Sequence, residues 1–137
     1  ISEHTNLPII ADDSGLEVEA MDNKPGINSA RFAESFNGHE RAMDYIVNQT
    51  INNNNAKFVC VITLLEEGNV HVFKGVANGL INRNKEGSNG FGYDPIFFSL
   101  EANKTFSMLT DEEKNIYSHR AKAVNLLVKF LKENKKI

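Results

Sequence analysis

Hydrophobic and polar positions follow several distinct rhythms along the chain. Pro8-Ile9-Ile10-Ala11 is a short apolar run ending in Asp12-Asp13-Ser14-Gly15, which predicts a buried strand entering a polar turn. Leu16-Glu17-Val18-Glu19-Ala20 alternates apolar and acidic residues, the period-two pattern of a second strand with one wet face. Asp22-Asn23-Lys24-Pro25-Gly26 gathers residue types that favour turns. From Arg41 to Ile51 the apolar residues Ala42, Met43, Ile46, Val47 and Ile51 recur at three/four spacing, which predicts an amphipathic helix. Asn52 to Asn55 is a four-asparagine loop, since asparagine disfavours the interior of helix and strand alike.

The second half has a stronger strand signal. Phe58 to Leu65 is apolar apart from Thr63 and reads as a buried strand. Glu66-Glu67-Gly68-Asn69 predicts a hairpin turn, and Val70 to Val76 continues as the partner strand. Gly75 and Gly79 suggest a bulge or bend in it. Asn84 to Gly92, with Gly87, Gly90 and Gly92, reads as a loop that leads through Tyr93-Asp94-Pro95 into Ile96-Phe97-Phe98. Thr110-Asp111-Glu112-Glu113 has the form of a capping box opening a short helix, and Ser118 can cap another. The apolar stripe of that last helix is Ala121, Val124, Leu127, Val128 and Leu131, with Lys129, Lys132, Lys135 and Lys136 crowding its C-terminal end, where the macrodipole favours cations. The order strand, strand, helix, hairpin, strand, helix predicts one mixed α/β domain over residues 1–137 with substantial antiparallel content.

Composition narrows the class. At 137 residues, 41% hydrophobic and 24% charged, the chain is an ordinary globular domain able to bury a core. No apolar run approaches the ~18 residues of a membrane span. The single cysteine, Cys60, excludes an internal disulfide and a cysteine-based zinc site, and a reducing compartment is the simplest setting. The net charge of −3 argues against a dedicated duplex-binding protein. That charge is segregated: residues 1–45 carry nine acids and three bases, residues 114–137 seven bases and one acid. If the ends fold together, an acidic patch suited to a cation adjoins a basic segment suited to an anion.

Three clusters carry chemistry-bearing side chains. Asp12 and Asp13 at a strand end can hold a hard cation through oxygen, one of them can take a proton from water, and Ser14 can touch a phosphate oxygen. The same four residues are also good turn chemistry. Gly90-Phe91-Gly92-Tyr93-Asp94-Pro95 sets two rings beside a glycine, offering faces to a planar base, or else core anchors of a tight turn. Lys114 and Ser118-His119-Arg120 place cations near a helix start, lysine suiting a phosphate and arginine a planar bidentate partner. His4, His39 and His71 lack metal-ligand spacing and read as structural or surface residues. Neither the Walker loop nor the dinucleotide fingerprint is present, because Gly87 to Gly92 reads G-x-x-G-x-G.

Taken in order, Ala11 to Leu16, Pro25-Gly26-Ile27, Ser29-Ala30-Arg31-Phe32, Gly90 to Phe97, Lys114 and Ser118 to Ala121 resemble the non-canonical purine nucleoside triphosphate pyrophosphatase family, the inosine triphosphatase or Ham1-like proteins. The resemblance runs from about Leu7 to the last helix. It implies hydrolysis of inosine, deoxyinosine and xanthosine triphosphates to monophosphate and pyrophosphate with Mg2+, on an elongated mixed sheet with two lobes and a cleft, in a cytosolic homodimer acting on a small-molecule substrate. By position, Asp13 resembles the catalytic carboxylate and metal ligand, with Asp12 a second metal contact. Ser14, Phe91, Gly92, Tyr93, Asp94, Lys114, His119 and Arg120 resemble substrate contacts. Phe91 or Tyr93 would stack on the base, and His119 and Arg120 would face the 6-oxo group.

Two departures accompany the resemblance. The family's early Ser/Thr-x-Asn-x-x-Lys loop and its metal-binding glutamate have no counterpart here, so the chain is expected to be the C-terminal two-thirds of the family domain. Ala33-Glu34-Ser35-Phe36 stands where a glycine-containing loop is usual. The alternative reading is therefore a catalytically silent fragment that binds nucleotide or dimerises. A third, a Maf-type nucleotide-binding fold, fits the Phe91–Pro95 and Ser118–Arg120 stretches less well.

Overall fold

A computed structural model describes residues 9–26, 29–87 and 92–133. Its framework is a six-stranded sheet built from β1 (Ile9–Val18), β2 (Lys24–Gly26), β3 (Asn55–Glu66), β4 (Asn69–Ile81), β5 (Phe97–Ser99) and β6 (Lys104–Thr105), in the order β2-β1-β3-β4-β5-β6. The helices are α1 (Ser29–Ser35), α2 (His39–Gln49), α3 (Asp111–Tyr117) and α4 (His119–Glu133). The α/β architecture is the expected one. Every strand pairing among the described residues is antiparallel.

The β3–β4 hairpin forms as its sequence predicts. Glu67 and Gly68 both take positive φ, 48° and 79°, as a tight hairpin turn requires. The expected strand–turn–strand over residues 8–20 is replaced by one uninterrupted strand. β1 pairs with β3 residue for residue from Ile9↔Leu65 to Val18↔Ala56, so Asp12 to Gly15 are ladder residues. Ten consecutive pairings against an apolar neighbour override the local turn preference of Asp-Asp-Ser-Gly.

The expected bulge in β4 is also absent, since its register with β3 runs one for one from Asn55↔Leu80 to Glu66↔Asn69. Gly75 serves close packing instead. A Cβ there would sit 2.6 Å from the Ala123 backbone nitrogen and would strike the His119 carbonyl oxygen. The glycine lets α4 lie directly on the sheet, where Ala123 and Leu127 pack on Cys60, Ile62 and Leu64. This turns the buried line of α4 to Ala123 and Leu127 and leaves Val124, expected in the buried stripe, 38% exposed. The larger core gathers Leu16 and Val18 of β1, Phe58 of β3, Ala42, Met43 and Ile46 of α2, and Phe97, Phe106 and Leu109. Leu16, Val18 and Phe58 lie on the same face of the sheet as Cys60, Ile62 and Leu64, so both cores form on one face.

Candidate functional site

The groove on this face begins at Ser14. Strand alternation puts Asp12, Ser14, Leu16 and Val18 on the helix-covered side. Leu16 and Val18 are fully buried, and Ser14 marks the boundary between core and open surface. Opposite it, the capping box at Thr110 and Glu113 starts α3, the Glu113 N–H donating to Thr110 Oγ1 at 3.1 Å and the Thr110 N–H to Glu113 Oε1 at 3.0 Å. Ser118 ends α3 and caps α4, its Oγ accepting from the Ala121 N–H at 3.0 Å. These two ends fix where Lys114, His119 and Arg120 stand. Between them lies a cavity of about 760 Å³ whose lining includes Ser14, Gly92, Tyr93, Asp94, Lys114, His119 and Arg120. This volume is in the range of small-molecule sites.

Arg120 bridges the two walls. Its guanidinium contacts the Asp12 carboxylate and donates to Ser14 Oγ at 3.2 Å. The acidic N-terminal and basic C-terminal segments therefore meet here. Lys114 Nζ donates to Asp94 Oδ2 at 2.7 Å, and Asp94 is buried beside Pro95 in the 3-10 turn Asp94–Ile96. The Tyr93 hydroxyl donates to the Ser29 carbonyl at 2.6 Å, and burial pushes its pKa up to about 12. With 4% of its surface exposed, Tyr93 is a core anchor at the edge of the groove. Phe91, the other ring expected to stack, lies outside the described residues.

His119 lies parallel to Phe58, with centroids 4.8 Å apart and an interplanar angle of 14°. Burial, with a smaller contribution from the Arg120 and Lys114 charges, lowers its pKa to about 4. The ring is therefore neutral at pH 7, and its buried Nδ1 has no hydrogen-bond partner among the described residues.

Sequence reasoning missed part of this wall. Ser29 at the start of α1 ties it together: the Leu16 N–H donates to Ser29 Oγ at 3.0 Å, and that hydroxyl donates to the Gly26 carbonyl at 2.6 Å. Phe58 and Phe106 supply apolar lining, and His39, expected to be structural or surface, packs edge-on against Tyr93 at 5.0 Å. Helical spacing did not signal α1, because the helix is one of seven residues with only Ser29 and Ala33 buried.

The two aspartates do not share a side of β1. Asp12 faces Arg120, whereas alternation turns Asp13 toward the opposite face, beside Val61. Neither lines the cavity. Among the described residues, no group of three or more His, Cys, Asp or Glu side chains is placed to hold a metal ion. The expected joint grip of Asp12 and Asp13 on one cation is thus not formed, because a ladder replaces the turn that would have converged them. The donors are carboxylate oxygens, which suit a hard divalent ion held by one side chain together with phosphate oxygens.

The Ham1 family model matches residues 1–130. The chain belongs to the Ham1 family. It is 44% identical over 135 residues to a dITP/XTP pyrophosphatase of Staphylococcus aureus, covering 96% of this chain and 69% of that protein. It is 45% identical over 137 residues to a dITP/XTP pyrophosphatase of Flavobacterium johnsoniae, covering 98% and 71%. The solved Staphylococcus aureus Ham1 protein superposes with a TM-score of 0.88 at 43% identity, covering 96% of this chain and 70% of that one, and a Coxiella burnetii Ham1 protein with 0.84 at 36%, covering 94% and 69%. The fold of this Ham1-family chain is thus that of solved Ham1 proteins, and among its described residues no helix is long and apolar enough to cross a membrane.

Proposed function

We propose that this chain hydrolyses non-canonical purine nucleoside triphosphates, the inosine, deoxyinosine and xanthosine forms, to the monophosphate and pyrophosphate. The observation that carries the reading is a single groove lined by Ser14, Asp94, Lys114, His119 and Arg120, on a chain 44% identical to a dITP/XTP pyrophosphatase. Gly92 and Tyr93 border the base. The neutral His119 and the Arg120 donors face its 6-oxo group, and a 6-amino base leaves those donors unpaired. The base displaces part of the Arg120 contact with Asp12. Lys114 and Ser14 orient the phosphates. Among the described residues β2 pairs with β1 only at Leu16–Val18, so the phosphates pass the β1 edge beside Ser14 to reach Asp13 on the far face. There water attacks the α-phosphorus, its proton passes to the Asp13 carboxylate, and the bond to the bridging oxygen breaks to release pyrophosphate. Mg2+ would be held by Asp13 or Asp12, one at a time, and when bound it offsets the charge of the phosphate oxygens. The homodimeric state and the cytosolic setting implied by the resemblance remain part of the proposal.

One observation favours a second reading, a catalytically silent nucleotide binder: Asp12 is engaged with Arg120 and Asp13 faces away from the groove. Pyrophosphate release from dITP separates the two. The enzyme reading expects Mg2+-dependent release that chelation abolishes and that Asp13→Asn lowers by about 10²-fold or more without altering the circular dichroism. Nucleotide binding without release supports the silent reading, and an Asp13→Asn variant of undiminished rate contradicts the role given to Asp13.

A further inference from the structure

A second cavity, of about 580 Å³, lies on the other side of α1. Ser29 and Ala30 face the groove, whereas Arg31 and Phe32, the next two residues, line this basin, and the two cavities share no lining residue among the described residues. Buried Pro25 contributes apolar lining. The aromatic wall is a cluster: Phe32 and Tyr45 have centroids 6.0 Å apart, and Phe36 packs against them at 4.9 and 5.0 Å. Tyr45, 40% exposed, opens a ring to solvent there.

The charges in the basin are unusual for this part of the molecule. Residues 1–45 are strongly acidic, yet two of their three bases, Lys24 and Arg31, line this one cavity, with Asp22 the single acid among the described lining residues. Neither cation takes part in the ion pairs found among the described residues. Two cations beside exposed aromatic surface match a flat ring that carries an anionic group, the ring packing on Tyr45 and the anion meeting the cations.

We infer that this basin is a second ligand site, distinct from the groove, for a planar ring bearing a phosphate. It does not depend on the hydrolytic reading, because none of its residues belongs to the groove. The test is a titration of the isotopically labelled chain with inosine monophosphate, with inosine and inorganic phosphate as separate arms, following the amides of Lys24, Arg31, Phe32 and Tyr45. The expected result is saturable shifts at these four residues with the monophosphate, weaker with either half alone. A Lys24→Ala/Arg31→Ala variant should weaken binding there about tenfold or more, and Tyr45→Ala should weaken it while the fold is retained. Shifts confined to Tyr93, Lys114 and Arg120 overturn the inference and leave the groove intact; shifts confined to the basin support it and count against the groove. An equal response to phosphate alone removes the ring from the site and overturns it. A double variant that changes only the oligomeric state, with no monophosphate shifts in the wild-type basin, shows a contact between copies and also overturns it.

Discussion

His119 enters α4 with its ring parallel to Phe58 at 4.8 Å and to Phe106 at 6.2 Å, and burial holds its pKa near 4. In the unfolded chain an imidazole titrates near 6.5. Between these values the unfolded state binds a proton that the folded state does not, so this residue makes stability rise with pH. Its contribution is complete above about 6.5 and is lost as pH falls toward 4. Thermal unfolding from pH 7 to 5 should show a falling midpoint, and His119→Gln should flatten that slope; parallel slopes in the two proteins would contradict the assignment. The chemical types of the site residues were legible in the sequence, since Ser118-His119-Arg120 reads as a polar helix entry. Their surroundings were not. That His119 is a neutral, stacked ring follows from phenylalanines 61 and 13 residues away. That Asp12 and Asp13 diverge follows from a pairing with β3 that local composition does not announce.

Gly75 decides how α4 meets the sheet. The atoms a side chain would meet there include the His119 carbonyl oxygen and the Ala123 nitrogen, both backbone, which cannot swing aside. Gly75→Ala should cost about 1–3 kcal/mol, as overpacking does, and it should also move the start of α4 that carries His119 and Arg120. Urea unfolding measures the loss, and a midpoint equal to the wild type would contradict the close-packing role. Elements set by local chemistry were legible: the β3–β4 turn, the Thr110 capping box and the Ser118 cap all form where their residues predict. Elements set by distant partners were not. β1 stays extended through a turn-forming tetrapeptide because β3 pairs with it, and the glycines of β4 read as a bulge when their role is contact with α4 and β5.

Across the whole molecule, both apolar cores form on one side of the sheet, and the groove opens where they leave off, between Ser14 and the start of α4. The opposed charges of the two ends of the sequence meet beside it, Asp12 to Arg120, over a separation of 108 residues. Asp94 and Lys114, which both line the cavity, form another pair at 2.7 Å. The groove is therefore lined with charged groups able to exchange a protein partner for a ligand. The family was legible because its motifs lie in order along the chain, whereas the convergence of those motifs is a property of the fold. The most direct measurement is the response of backbone amides to inosine triphosphate and adenosine triphosphate. Inosine triphosphate should shift Ser14, Gly92 to Asp94, Lys114 and Ser118 to Arg120, with adenosine triphosphate several-fold weaker and the preference lost in Arg120→Ala. Equal responses to the two nucleotides, or shifts that avoid these residues, would contradict the groove as the site of base recognition.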